Sequence, residues 1–361
     1  MNIILIAGAR PNFVKIAPII QAISSSKESG DEISYQLVHT GQHYDSNMSQ
    51  SFFDQLGIPA PTINLGAGGG SQTEQTASIM IGFEKFLKQN HCDIVLVVGD
   101  VTSTLACSIV AKKEGVKVAH VEGGIRSGDW SMPEEINRKV TDSITDIFFT
   151  TSRFANENLK NEGIKDENIH FVGNVMIDSL LKNRRKFKKP SCWDTFKLQE
   201  NKFFVLTLHR PSNVDDSQSF IDLIRCIDEN VRFQVVFPVH PRTKKTLETV
   251  GVSLRNIHLV DPLSYLEFNF LVERSLGVIT DSGGITEEAT VLNVPCLTLR
   301  ENTERPETVV YGTNELIGAN LEKLKDCIFQ IETGNWKTSQ IPELWDGKSA
   351  ERIVQILLKL A

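Results

Sequence analysis

The chain has 361 residues, 40% of them hydrophobic and 23% charged, which excludes a disordered or fibrous protein and fits a soluble globular one. That length exceeds one typical core and sets an expectation of two domains of roughly 170 residues each. A net charge of −7 argues against a nucleic-acid or acidic-membrane partner.

The longest apolar runs, such as Ile3–Ala7 and Ile94–Val98, are strand-sized and far short of a membrane span. No basic segment precedes the first of them and no cleavage pattern follows it, so a cytoplasmic location is expected. The cysteines Cys92, Cys107, Cys192, Cys226, Cys296 and Cys327 are scattered, with no C-x-x-C pair and no zinc spacing. They read as small buried thiols in a reducing compartment, and no metal is expected.

Apolar strands alternate with amphipathic helical stretches along the whole length, the pattern of a doubly wound α/β architecture. In the first half the strands read as Asn2–Gly8, Tyr35–Thr40, Asp93–Val98, Lys117–Val121, Ile147–Phe149 and Ile169–Val172. The run 66–70, Gly-Ala-Gly-Gly-Gly, reads as a flexible loop. The basic cluster of Lys182, Arg184, Arg185, Lys186, Lys188 and Lys189, closed by Pro190, reads as a solvated helix end and linker, and the hinge is placed at 182–202. The expected domains are therefore 1–181 and 182–347. In the second half the strands read as Phe203–Leu208, Phe233–Pro238, Ile257–Val260, Leu276–Thr280, Cys296–Leu299 and Glu315–Ile317. Each half thus supplies about six strands. The segment from about 348 to 361, apolar at Ile353, Ile356, Leu357 and Leu360, reads as a helix that packs back on the first domain.

Polar residues collect at the C-terminal ends of these strands, where ligands bind in open α/β sheets. The first strand runs into Gly8-Ala-Arg10-Pro-Asn12, with Lys15 in the helix that follows. Neither a dinucleotide fingerprint nor a P-loop is present. The third runs into Gly99-Asp100-Val-Thr102, with Thr102 as the expected helix cap, and the fourth into His120-Val-Glu122-Gly-Gly. Pro133-Glu134-Glu135 opens a helix. Asp100, Glu122 and Glu134 so converge on one sheet edge, where neighbouring carboxylates divide into acid and base.

In the second half His209-Arg210, His240-Pro-Arg242 and Arg300 with Arg305 follow strand ends. Most telling is Asp281-Ser-Gly-Gly-Ile-Thr-Glu-Glu288. A strand that ends in Ser-Gly-Gly at a helix start suits a phosphate: Ser282 caps, Gly283 and Gly284 allow close approach, and the helix end favours an anion. Glu287 and Glu288 come one turn later, in place to accept from ribose hydroxyls.

Assembled in order, these motifs resemble the non-hydrolysing UDP-N-acetylglucosamine 2-epimerases. The matches run nearly end to end: Gly8-x-Arg10-Pro with Lys15, Thr40-Gly-Gln42-His43, Gly99-Asp100-x-Thr102, His120-Val-Glu122, Arg126-x-Gly128-Asp129, Pro133-Glu134-Glu135-x-Asn137-Arg138, Gly173-Asn174, His209-Arg210, the Ser-Gly-Gly stretch, Thr303-Glu-Arg305-Pro-Glu307 and Asp346-Gly-Lys. The resemblance implies glycosyltransferase-B architecture, two Rossmann-like domains facing across a cleft. It implies catalytic roles for Asp100, Glu122, Glu134 and His209. It further implies UDP contacts from Arg10, Ser282, Gly283, Gly284, Glu288 and Arg305, Phe268 beside the uracil, and Lys15 as another active-site cation. No cofactor is implied, and a homodimer is.

The family chemistry removes UDP across C1–C2 to a bound 2-acetamidoglucal and adds it back after reprotonation on the other face. The hydrogen on C2 sits beside an acetamido nitrogen rather than a carbonyl, so it becomes removable only as the pyrophosphate leaves C1. The chain departs from the usual pattern at Asn12, at Pro211-Ser212-Asn213 and at Tyr44-Asp45. These departures leave a UDP-2,3-diacetamido uronate or a 6-deoxy N-acetylhexosamine as alternative substrates. The other readings are a hydrolysing epimerase that releases N-acetylmannosamine, a glycosyltransferase and a catalytically silent UDP-sugar sensor.

Overall fold

A computed structural model describes residues 1–41, 53, 55–214, 216–239, 247 and 254–360, without the side chains of Arg10, Pro211 and Ser212. The chain divides into two compact units, one formed by Met1–Lys182 with Glu343–Ala361, the other by Asn183–Pro342.

The first unit is built on a sheet of seven strands: β1 (Asn2–Ala7), β2 (Ser34–His39), β3 (Ile63–Asn64), β4 (Ile94–Val98), β5 (Lys117–Val121), β6 (Ile147–Thr150) and β7 (Ile169–Phe171). Their spatial order is β3-β2-β1-β4-β5-β6-β7, every pairing parallel. The sequence reading has six strands in this half. The seventh, β3, has two residues and follows no apolar run, so no periodicity announces it. Order reverses between β1 and β4, which leaves a crevice at their C-terminal ends. The central strands are apolar on both faces because helices cover both. On one face Ile79 and Phe83 of the helix Gln72–Leu87 meet Val95, Val97 and Val110. Ser71 and Glu74 start that helix with a capping box, the Ser71 hydroxyl accepting from Glu74 N and the Glu74 carboxylate from Ser71 N.

The second unit repeats the plan with β8 (Phe203–Thr207), β9 (Gln234–Pro238), β10 (Ile257–Val260), β11 (Gly277–Thr280), β12 (Cys296–Thr298) and β13 (Asn314–Leu316), ordered β10-β9-β8-β11-β12-β13 and all parallel. Here the reversal lies between β8 and β11. Strand period is visible in the packing: Phe204 and Leu206 enter one core cluster, Phe203 and Val205 the opposite one. The second cluster also takes Cys192 and Leu198, with Trp193 and Phe196 against it. The segment after the basic run is thus part of this core rather than a bare linker. Around it Arg184 pairs with Glu273 and Lys189 with Asp194. All six cysteines are free thiols, five buried and Cys92 half-buried. Among the described residues no helix is long and apolar enough to cross a membrane.

The last helix, Ser349–Leu360, packs against the helix Arg10–Glu28 of the first unit. Three contacts seat the returning chain. The buried indole of Trp345 donates to Thr151 O at 2.9 Å. The Asp178 carboxylate accepts from Ser349 N at 3.1 Å and Ala350 N at 2.7 Å, satisfying amides that open the helix. Gly173, at φ 93°, lies so close to Leu344 that a Cβ would stand 2.1 Å from its carbonyl oxygen. Gly173→Ala is therefore expected to cost at least about 1–3 kcal/mol, from the left-handed backbone and the clash together. A urea titration of wild type and variant checks it, and equal midpoints would refute it.

Candidate functional site

At the β1/β4 reversal of the first unit, Asn12 ties the two strand tips together. Its carbonyl oxygen accepts from Gly8 N and Ala9 N, both at 3.1 Å, and its amide donates to Val98 O at 3.0 Å. One turn on, the ammonium of Lys15 forms a buried ion pair with Glu122 from the end of β5. Gly99 makes room for it: at φ 66°, a Cβ there would lie 2.8 Å from Lys15 Nζ. Glu122 itself is 2% exposed and sits at φ 78°, a left-handed conformation that costs a non-glycine residue about 1–3 kcal/mol unless its surroundings enforce it.

The surroundings do enforce it, through Asp142. This fully buried carboxylate accepts from Gly124 N at 3.0 Å and Arg126 Nη1 at 2.7 Å, and contacts His120 Nδ1 at 2.7 Å. The other ring nitrogen of His120 meets Gly99 O at 2.7 Å. The turn after β5 is thus held on both sides of Glu122. Burial alone raises the Asp142 carboxyl, but the charges and hydrogen bonds of His120 and Arg126 outweigh it and hold the group below its ordinary value.

Two more acids follow from the helix Pro133–Ile144. Glu135 is completely buried and accepts from Ser127 N, Ser127 Oγ, Gly128 N and Arg138 Nη1, at 2.6–3.1 Å. It closes the 126–129 loop. Arg138 also binds the Asp100 carboxylate at 2.5 Å, while Asn137 donates to Asp100 O at 2.9 Å. Glu134, half-buried, lies one turn before Arg138 on the same helix face and has no ion pair among the described residues.

In the second unit the β8/β11 reversal joins His209 and Asp281, with His209 Nδ1 2.7 Å from Asp281 Oδ1. The other Asp281 oxygen accepts from His209 N, Arg210 N and Asn213 Nδ2 at 2.9–3.1 Å. Ser282 then stands at the cap of the helix Gly283–Val291 but makes no capping hydrogen bond, so the expected capping role is corrected: its amide donates to Thr280 Oγ1 at 3.0 Å. Thr102 is corrected likewise. The helix begins at Thr102 itself, and Val101 occupies the cap position. A Cβ on Gly283 would lie 2.5 Å from Glu304, whose carboxylate is bound by Arg300 at 2.7 Å. The buried Arg305 pairs with Glu287. Glu288 is turned to Tyr265, whose hydroxyl donates to it at 2.8 Å. Burial pushes the Glu288 carboxyl up to about 7, against hydrogen bonds from Tyr265 and Asn269 that lower it. Phe268 packs partly buried on the same helix as Tyr265.

A family model described as UDP-N-acetylglucosamine 2-epimerase matches residues 26–358. The chain belongs to the UDP-N-acetylglucosamine 2-epimerase family. It is 40% identical to the UDP-N-acetylglucosamine 2-epimerase of Methanocaldococcus jannaschii, over 99% of both chains. It is 39% identical to the UDP-2,3-diacetamido-2,3-dideoxy-D-glucuronate 2-epimerase of Pseudomonas aeruginosa, over the full length of both. The crystal structure of the M. jannaschii UDP-GlcNAc 2-epimerase in complex with UDP-GlcNAc and UDP superposes with a TM-score of 0.87, covering 99% of this chain and 100% of that one. The fold class is the two-sheet, glycosyltransferase-B-like architecture of these epimerases.

Lys15 and Glu122 pair in the first unit, which also holds Asp100 and Glu134, while His209, Ser282, Gly283, Gly284, Glu288, Arg305 and Phe268 lie in the second. The side chain of Arg10, and Gln42, His43, His240 and Arg242, lie outside the described residues. Sequence reasoning missed Asp142, His120 and Asp281 as anchors. The signal available was an acid in the last turn of a helix, where the dipole disfavours it, and an acid that ends an apolar strand. Among the described residues no cluster of three or more His, Cys, Asp or Glu can hold a metal ion.

The raised Glu288 carboxyl has a sign that can be tested. Unfolded, it ionises near its ordinary 4.5; folded, near 7. Its burial therefore opposes folding increasingly as pH rises from 4.5 to 7, and not at all below that window. Glu288→Gln is expected to stabilise the protein more at pH 8 than at pH 5. Urea midpoints at the two pH values check this, and an equal effect at both would refute it.

Proposed function

We propose that the protein inverts C2 of a UDP-N-acetylhexosamine, interconverting UDP-N-acetylglucosamine and UDP-N-acetylmannosamine by elimination and re-addition of UDP. The C1–O bond breaks with its electron pair going to UDP, the C2 proton passes to a carboxylate, and a C1–C2 double bond forms. Reprotonation of C2 on the opposite face and return of UDP complete the inversion. The observation that carries this reading is Glu122: a buried acid, held in a left-handed turn, with Lys15 balancing its charge. A structural acid needs no such strained position, whereas a proton-transfer group gains from a fixed one.

Asp100 and Glu134 supply the further carboxylates that two faces of one carbon require, with Arg138 fixing Asp100. His209 acts with them as an acid–base group. UDP is held by Arg10, Ser282, Gly283, Gly284, Glu288 and Arg305, with Phe268 against the base, and Lys15 completes the cationic side. A helix start with two glycines suits the diphosphate, because it must be stabilised as it departs and retained until it returns.

A second substrate reading is favoured by one observation. Similarity to the P. aeruginosa diacetamido-glucuronate enzyme, 39%, is almost equal to that for the M. jannaschii enzyme, 40%. The substituents at C3 and C6 are the variable.

The test is incubation with UDP-N-acetylglucosamine in D2O, followed by NMR. Deuterium at C2 of intact UDP-sugar is the expected result. Free N-acetylmannosamine would replace this reading with hydrolysis, and tight UDP binding without exchange would transfer it to the diacetamido substrate. Glu122→Gln is expected to abolish exchange while UDP affinity stays within about tenfold, because the lost interaction belongs to the transition state. Equal loss of both would make Glu122 a binding residue.

A further inference from the structure

Asp281 has no role in the reading above, yet the geometry ties it to His209. It is fully buried at the tip of β11, beside β8, from which His209 emerges. One of its oxygens is saturated by His209 N, Arg210 N and Asn213 Nδ2. The other lies 2.7 Å from His209 Nδ1 as an ion-pair contact, and no hydrogen bond from another residue reaches it among the described residues. Two lone pairs cannot face each other at that distance, so Nδ1 carries a hydrogen. Proton exchange is then left to Nε2, on an imidazole that is 64% exposed.

We propose that Asp281 is the positioning residue for His209, fixing the Nδ1–H tautomer and balancing the imidazolium that forms when Nε2 takes a proton. This rests on the acid–base role assigned to His209. The same three donors make a specific substitution informative. In Asp281→Asn the amide carbonyl must take the place of the saturated oxygen, because only N–H groups point there. The amide NH2 then faces His209 Nδ1 and donates to it. The ring hydrogen moves to Nε2, and a second proton on Nδ1 would confront a donor. The histidine keeps its place and loses its ability to shuttle a proton.

Long-range proton–nitrogen NMR on protein labelled with ¹⁵N-histidine, with His209 assigned from His209→Gln, reads the tautomer directly. Wild type is expected to show the neutral ring protonated at Nδ1, and Asp281→Asn the ring protonated at Nε2. In the C2 exchange assay the variant should lose about 10²- to 10⁴-fold in kcat, with KM and UDP affinity within about tenfold. Added to His209→Gln it should cost little further, since the two act as one unit.

Nε2 protonation in the neutral wild-type ring, the same tautomer in both proteins, or a large additional loss in the double variant would overturn the proposal. The wild-type spectrum remains decisive if Asp281→Asn does not fold. It is also independent of the reaction: absence of C2 exchange in wild type with either UDP-sugar would overturn the proposed function and leave the tautomer result standing.

Discussion

A carboxylate taken out of water must find donors, and in the first unit Asp142 finds them all in one turn. His120, Gly124 N and Arg126 converge on it from the residues that flank Glu122. Because leaving such a charge unpaired costs several kcal/mol, a relaxed turn that withdrew these donors would be penalised by a similar amount. The left-handed backbone at Glu122 follows from that requirement, and with it the ion pair to Lys15 and the need for Gly99. Glu135 serves the next loop in the same way, and Arg138 passes its hold to Asp100. The unit's proposed catalytic acids are therefore placed by other, deeper carboxylates.

The second unit solves the same problem with Asp281, which gathers the start of the loop after β8. The two units share a principle: the gap opened where strand order reverses is stitched by a buried polar side chain, Asn12 at β1/β4 and Asp281 at β8/β11. Their chemistry differs because a neutral amide can accept and donate at once, while a carboxylate can only accept and so draws a histidine to it.

Much of this was legible in the sequence. The central strands of both sheets are near-continuous Val/Ile/Leu/Phe runs, which is how a strand buried on both faces must read, and the polar residues at their C-terminal ends mark where a parallel sheet exposes its loops. What was not legible has a common cause. Asp142 lies in the last turn of its helix, where an acid is ordinarily disfavoured by the helix dipole, and its donors are 16–22 residues away. Glu287 and Glu288 are adjacent, and only packing shows that one holds Arg305 and the other meets Tyr265. The serine of the Ser-Gly-Gly turn sits at the cap position without capping, a choice of rotamer rather than of residue type. Segment 191–198 follows a cluster of lysines and arginines, so its burial of Cys192 and Leu198 is masked by its neighbours.

The first unit is completed by residues that lie after the whole of the second, since Glu343–Ala361 supplies Trp345 and the last helix. Synthesis runs in one direction, and domains fold as their chain becomes available. The second unit is contiguous and can close as soon as Pro342 has emerged. The first must wait, its Asp178 carboxylate without the amides of Ser349 and Ala350 and the space beside Gly173 unfilled, until residues 343–360 have emerged as well. The order in which the two units mature is therefore the reverse of the order in which they are written.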